Sequence, residues 1–345
     1  MNRRQFLAAS VAVAGGGCAR RETPPAGQVA TAVDPDRLAA EQAAREQHLV
    51  ALSKCRAPAD AAFTTPKPPV DVLAVFPELK GLVKVTVRLH PRFGDEPKPD
   101  ESKLGGRFLW PADEPRPEGP RTGVPMVPVL QFRAEDAPPP VKFPPGTDLL
   151  QLLWCPRDPV DGEVEIALRW RKRAGVTGPL ADLAAPAAGY PNYTPVPCRV
   201  FPERVTEFPD WDTLSRTGLK DKLEKWVPPA GVAGDAPRSG PQFYDRFLSV
   251  ARGTKVGGYP RRPGGAAAPP ACPTCKWGMD YLLTVDSAEW DPADAARWRP
   301  VEEKAVGEAD GCRRAAGLTL GRGGNVRVFV CRRCEGWPAR AVAAG

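Results

Sequence analysis

Ser102-Lys103-Leu104-Gly105-Gly106-Arg107-Phe108-Leu109-Trp110-Pro111 has a counterpart later in the chain, Thr254-Lys255-Val256-Gly257-Gly258-Tyr259-Pro260. In each, a hydroxyl residue, a lysine and an aliphatic residue lead into a glycine pair, with an aromatic and a proline beyond. At a similar distance after each pair comes an apolar run, Val129-Leu130-Gln131-Phe132 in the first case and Leu282-Leu283-Thr284-Val285 in the second. Each unit then closes on an apolar segment ending in cysteine: Leu149-Leu150-Gln151-Leu152-Leu153-Trp154-Cys155 and Asn325-Val326-Arg327-Val328-Phe329-Val330-Cys331. Three matched landmarks in one order predict a duplicated unit. The glycine pairs read as backbone devices, giving φ > 0 or close approach of another strand. A phosphate-cradling loop would open a helix or carry Lys-Ser/Thr behind it, and neither pair does.

The units are β-rich. Val83, Val85, Val87 and Leu89 alternate with Lys84, Thr86 and Arg88, and Val164, Ile166, Leu168 and Trp170 alternate with Glu163, Glu165 and Arg169. Val70, Val72, Ala74 and Phe76 read the same way. Alternation of this kind predicts strands with one buried face. The fold class is therefore mainly β (α+β): two related halves, 34–175 with an N-terminal helix and 241–345. Residues 176–240, rich in Pro, Ala and Gly, read as a connector with one helix over 219–226, and a second short helix over 243–250 leads into the second glycine pair. Asp34-Pro35 marks the start of the first helix, Asp as N-cap and Pro in the first turn. With 43 prolines and 33 glycines in 345 residues, against about 5% Pro and 7% Gly in average proteins, short strands joined by rigid turns fit better than long regular elements.

The net charge of +7 is spread among interspersed acids and bases. There is no basic stripe with interleaved aromatics, so nucleic acid is not an expected partner. Residues 1–18 read as an export signal: Arg3-Arg4-Gln5-Phe6-Leu7 matches the core of a twin-arginine leader, and a short apolar run follows. Gly15-Gly16-Gly17-Cys18 resembles a lipoprotein box, making Cys18 a candidate lipidation site and the only expected membrane attachment. Residues 19–33 read as a flexible tether.

Cys272-Pro273-Thr274-Cys275 and Cys331-Arg332-Arg333-Cys334 are two C-x2-C knuckles. One precedes the apolar segment 279–285 and the other ends the segment 326–330, so adjacent strands would bring them together as in a zinc ribbon, with residues 286–324 as an insertion. Cys272, Cys275, Cys331 and Cys334 are thus the expected ligands of one structural zinc, since four thiolates leave no open position for catalysis. Two disulfides are the competing reading for an exported chain, and redox dithiols, which favour helix N-termini, the weaker one. A twin-arginine substrate crosses folded, so the metal can load beforehand. Cys55, Cys155, Cys198 and Cys312 are left over, either paired in one of three ways or buried as free thiols.

These landmarks resemble the YwqG-like family, a bacterial family of unknown function, over residues 70–340. The residues that carry this are Ser102-Lys103-Leu104-Gly105-Gly106, Gln131-Phe132, Gly146 with Leu149 to Leu153, and Lys255-Val256-Gly257-Gly258-Tyr259-Pro260. Where members often carry an aromatic and Gln after the second glycine pair, this chain has Arg261-Arg262-Pro263. More distantly, Cys272, Cys275, Met279, Leu282-Leu283 and Cys331 are similar in order to eukaryotic programmed cell death protein 2. Relatives of that family act as chaperones for a ribosomal protein, which implies a non-enzymatic, protein- or peptide-binding surface. The alternative is a carboxylate-based hydrolase acting on cell-envelope polymer, with Glu135-Asp136 or Glu302-Glu303 as acid and base. His48 and His90 are the only histidines, and neither adjoins a nucleophile motif.

Overall fold

The computed structural model describes residues 33–137, 141–177, 181, 183, 189–214, 218–231, 239–261, 269–306 and 310–344. The leader, Cys18 and the tether up to residue 32 lie outside them.

The first-half strands are β1 (Lys84–Arg88), β2 (Arg92–Phe93), β3 (Lys103–Leu104), β4 (Val127–Arg133), β5 (Leu149–Trp154), β6 (Glu163–Val164) and β7 (Ile166–Arg171). Those that follow are β8 (Cys198–Arg199), β9 (Glu203–Glu207), β10 (Lys255–Gly257), β11 (Asp280–Asp286), β12 (Asn325–Val330) and β13 (Ala339–Ala344). They form two antiparallel sheets, ordered β6-β13-β12-β11-β10-β1-β9 and β2-β8-β3-β4-β5-β7. One apolar cluster draws on both, with Val87, Val256, Leu283 and Val328 from the first sheet and Leu104, Leu130 and Leu152 from the second. The sheets therefore pack face to face, and the mainly β expectation holds.

The two sheets share a register. Lys103 and Leu104 stand opposite Gln131 and Leu130, as Lys255 and Val256 stand opposite Thr284 and Leu283. A bulge falls between Pro128 and Leu130, and its counterpart falls between Tyr281 and Leu283. On the other side of the glycine-pair strands, Arg199 pairs with Lys103 and Arg88 with Lys255. Strand β1 thus occupies in one sheet the place that β8 occupies in the other. Each of these strands is followed by a partner at the sheet edge, β9 beside β1 and β2 beside β8.

That arrangement corrects the boundaries read from sequence. Residues 176–240 are more than a connector, because β8 and β9 lie within them and hydrogen-bond into the two sheets. The segment around Val70–Phe76 is not a strand: Val72–Val75 is a helical turn, capped by the Asp71 carboxylate accepting from the Leu73 and Ala74 N–H groups. An N-cap of this kind satisfies donors that a strand would give to a neighbour. Val72 and Phe76, four apart, then point together into a helical cluster with Leu223, Phe243 and Phe247. The predicted helices over 219–226 and 243–250 appear as Leu219–Lys225 and as a turn at Gly240–Phe243 continuing into a wider π-type turn, Tyr244–Leu248. The alternating run at 163–170 divides, with Glu163–Val164 pairing β13 and Ile166–Arg171 pairing β5.

Outward from the shared core, each sheet carries a row of polar side chains in register. Glu203, Arg88, Lys255, Thr284 and Arg327 form one row; Arg199, Lys103, Gln131, Gln151 and Arg169 form the other. Helices and loops cover much of both rows, so each polar group needs a partner. The Lys255 ammonium, fully buried, meets the Glu207 carboxylate at 2.7 Å. Glu207 also accepts from the N–H of Ala251 at 2.8 Å and from that of Tyr259.

Both glycines of each pair lie at positive φ, 60° and 71° at Gly105 and Gly106, 76° at Gly257 and Gly258. At Gly258 a Cβ would fall 1.9 Å from Glu207 Oε1 and 2.8 Å from Thr86 Cβ. The glycine makes room for the carboxylate that neutralises Lys255. Gly258→Ala should therefore cost about 2–4 kcal/mol, strain and displaced carboxylate together. Urea unfolding of the variant measures it, and a loss below about 0.5 kcal/mol would show that Glu207 does not need the space.

Candidate metal centre

The four knuckle cysteines come together. Cys272 and Cys334 Sγ are 3.9 Å apart, Cys275 and Cys331 Sγ 3.6 Å apart, and all four sulfurs lie within 4.8 Å of one another. A tetrahedral centre with metal–sulfur bonds of about 2.3 Å places its sulfurs about 3.8 Å apart. The four thiols could hold a metal ion.

Local backbone builds the cluster. In the first knuckle, the Cys272 N–H donates to Trp277 O at 2.7 Å and the Lys276 N–H to Cys272 O at 3.0 Å, with Lys276 at φ 62°. Ala271 and Gly278 form a bridge across its base. In the second, the Cys331 N–H donates to Pro338 O at 2.9 Å and the Trp337 N–H to Cys334 O at 3.3 Å, with Gly336 and Trp337 at φ 71° and 49°. Strands β11 and β12 pair Asp280 with Val330, which sets the two turns at the same end of the sheet. Met279 and Phe329 share a small buried cluster with Cys272 and Cys331, against which Cys275, Cys334, Tyr281 and Val342 pack.

The electrostatics favour ionised sulfur at one position. Burial opposes ionisation of Cys272, but hydrogen bonds from the backbone of Cys275 and Thr274 and from neighbouring thiols outweigh it, bringing its pKa down to about 6. Burial pushes Cys334 up to about 12, helped by sharing the cluster with the other three sulfurs. Arg332 and Arg333 extend over indole rings: Arg333 stacks 4.2 Å from the Trp277 centroid and Arg332 5.3 Å from that of Trp337. Trp277 is 63% exposed.

The other cysteines separate cleanly. Cys55 and Cys312 form a disulfide that ties the end of the N-terminal helix (Pro35–Leu52) to the short helix Asp310–Arg313. Cys155 and Cys198 are free and buried. Burial raises the Cys155 thiol, which lies 3.2 Å from Thr122 Oγ1, and pushes Cys198 up to about 12. Burial thus disfavours the thiolate at both.

The carboxylate pairs are occupied by structure. Asp136 and Glu135 bind Arg133, and Glu135 also binds Arg173. Glu302 accepts from the Thr64 N–H at 2.8 Å, and Glu303 lies against the guanidinium of buried Arg92. His48 contacts Arg314 O at 2.8 Å. His90 is fully buried at φ 42° and hydrogen-bonds Glu203 at 2.8 Å. Burial and the nearby Arg88 lower it to about 3, despite Glu203, so it is neutral at physiological pH.

No family model matches the chain. No curated protein matches it either.

Proposed function

We propose that the protein is an exported, non-enzymatic binder of extended peptide, built by internal duplication and braced in its second half by structural zinc. The observation that carries the binding role is a groove of about 510 Å³ along β9, the edge strand of its sheet. Its lining mixes apolar side chains, among them Pro66, Pro68, Val70, Leu73, Val205 and Phe208, with charged ones such as Lys67, Asp71, Glu203 and Arg297. The side chains of Arg204 and Thr206 are exposed, and Leu73 is 37% exposed. An edge strand beside an apolar trough suits an added strand, whose main chain pairs with the edge while alternate side chains fill the trough.

Zinc is favoured over other metals because four thiolates in tetrahedral array match its coordination. A closed four-sulfur site also supports a structural role. The buried Cys55–Cys312 disulfide supports export, since such bonds persist in oxidising compartments. Duplication is supported by the common register and by the paired bulges, and one anchored sulfur at Cys18 remains the proposed membrane attachment. The resemblance to the YwqG-like family and, more distantly, to programmed cell death protein 2 accords with a binding role.

A decapeptide array probed with the mature chain tests the groove. Bound peptides should be extended and apolar at alternate positions, and Leu73→Asp should weaken them at least about tenfold. Peptides bound equally well by that variant would place recognition elsewhere. Release of soluble fragments from cell-envelope polymer would support the hydrolase instead.

A further inference from the structure

The groove along β9 carries charge as well as apolar surface, and its charges differ in how they are used. Two carboxylates line it, Asp71 and Glu203. Glu203 is committed to the fold: its Oε1 accepts from the Thr65 N–H at 2.8 Å, and its Oε2 accepts from the Thr65 hydroxyl and from His90. The buried guanidinium groups of Arg88 and Arg297 lie near it, so its negative charge is answered from inside the protein. Asp71 gives one oxygen to the N–H groups of Leu73 and Ala74, both at 3.1 Å. Arg297, the buried cation of the lining, donates to the carbonyls of Phe247 and Pro66.

The exposed cations are not used in this way. Lys67 and Arg204 both line the groove with exposed side chains. Neither makes a hydrogen bond or ion pair among the described residues. Charged side chains on an edge strand also serve to block pairing with further strands. Here the trough beside them gives an added strand a place to bury apolar side chains, which a purely protective edge lacks.

Register sets the pattern such a strand would follow. Arg204 stands opposite Val87 and Val205 opposite Thr86, so these neighbouring side chains leave opposite faces of the sheet. Arg204 and Thr206 share one face, Glu203 and Val205 the other. A strand added about 4.8 Å from β9 alternates in the same way. Its side chains on the Val205 face enter the trough, and those between them lie beside Arg204. We propose that the occupant of the groove is an acidic extended peptide, alternating apolar residues with aspartate or glutamate, whose carboxylates pair with Arg204 and Lys67. This rests on the peptide-binding reading of the groove and adds the chemistry of its partner. Opposite charges on adjacent strands attract and like charges repel, so the same two cations reject a basic segment.

Fluorescence anisotropy of the full mature chain with labelled decapeptides of alternating Val-Glu, Val-Gln and Val-Lys tests this. At low salt the glutamate peptide should bind at least about fivefold tighter than the glutamine peptide, with the lysine peptide weakest. Arg204→Glu should weaken the glutamate peptide at least about tenfold and strengthen the lysine peptide. Arg204→Gln and Lys67→Gln, which remove charge without adding repulsion, should have smaller effects of the same sign. Lys142→Glu, at an exposed lysine outside the lining, should leave binding unchanged. Far-UV circular dichroism checks that each variant folds. A glutamate peptide that binds no tighter than the glutamine peptide, with both weakened by Leu73→Asp, overturns the charge assignment and leaves the peptide groove standing. If no peptide binds, or Leu73→Asp leaves all three unchanged, the groove reading fails and this one with it. A loss in Lys142→Glu equal to that in Arg204→Glu also overturns the proposal, since it would reveal only the general field of a basic protein.

Discussion

Cys331→Ser should abolish metal binding and lower stability by about 4 kcal/mol or more. Structural zinc in isolated finger peptides supplies on the order of 10 kcal/mol of folding free energy. Here β11 and β12 are already held by β10 and β13, so part of the sheet survives without the ion. What would be lost is the closing of the two knuckles and the small cluster of Met279, Phe329, Tyr281 and Val342 around the sulfurs. Loss of a metal site belongs to the short list of mechanisms that exceed about 4 kcal/mol. Elemental analysis of chelator-free wild type should give one zinc per chain, and the variant near none. Thermal unfolding of the wild type should shift strongly downward in excess EDTA. If the untreated protein carries no metal and alkylation finds no free thiols at these four positions, the disulfide reading stands instead. Each sulfur pair would then have to close from 3.6 or 3.9 Å to about 2.05 Å.

That cluster was legible in sequence because a C-x2-C turn sets its own geometry, and only the meeting of two turns depends on the fold. Cys55–Cys312 was not legible, since its partners lie 257 residues apart and nothing local links them. Alternation revealed β1 because its residues divide between a shared core and a polar outer row. At Val70–Phe76 the same alternation misled, since the carboxylate of Asp71 caps a helical turn and the spacing of Val72 and Phe76 suits a helix face as well. Strand β8 has only two residues, too few for any period to show. A signal for it did exist. Val87-Arg88-Leu89-His90-Pro91 aligns with Cys198-Arg199-Val200-Phe201-Pro202, and each segment carries its strand from one sheet toward the edge of the other. On the proposed duplication, the units begin near residue 84 and again near 198, with the first strand of each exchanged between sheets.

The buried ion pair carries the other large expected effect. Lys255 and Glu207 have no exposed side-chain surface and lie 2.7 Å apart. Glu207→Ala would leave an ammonium in a dry site and strip the acceptor from the N–H groups of Ala251 and Tyr259. Removing one partner of a buried pair costs about 3–5 kcal/mol, whereas replacing both with apolar groups of similar size often costs little. Lys255→Met combined with Glu207→Leu should recover part of the loss, tempered by the two orphaned backbone donors. The equivalent lysine of the other sheet offers a control within the same molecule. Lys103 is equally buried, yet it donates to backbone carbonyls of Pro97, Lys98 and Arg107 in place of a carboxylate. Burial lowers it to about 8, so it can shed its proton at modest cost and Lys103→Met leaves no charge behind. Urea denaturation should therefore find Glu207→Ala more destabilising than Lys103→Met by at least about 1 kcal/mol. Equal losses would mean that space filling, rather than charge neutralisation, is what fixes a lysine at this position in both halves.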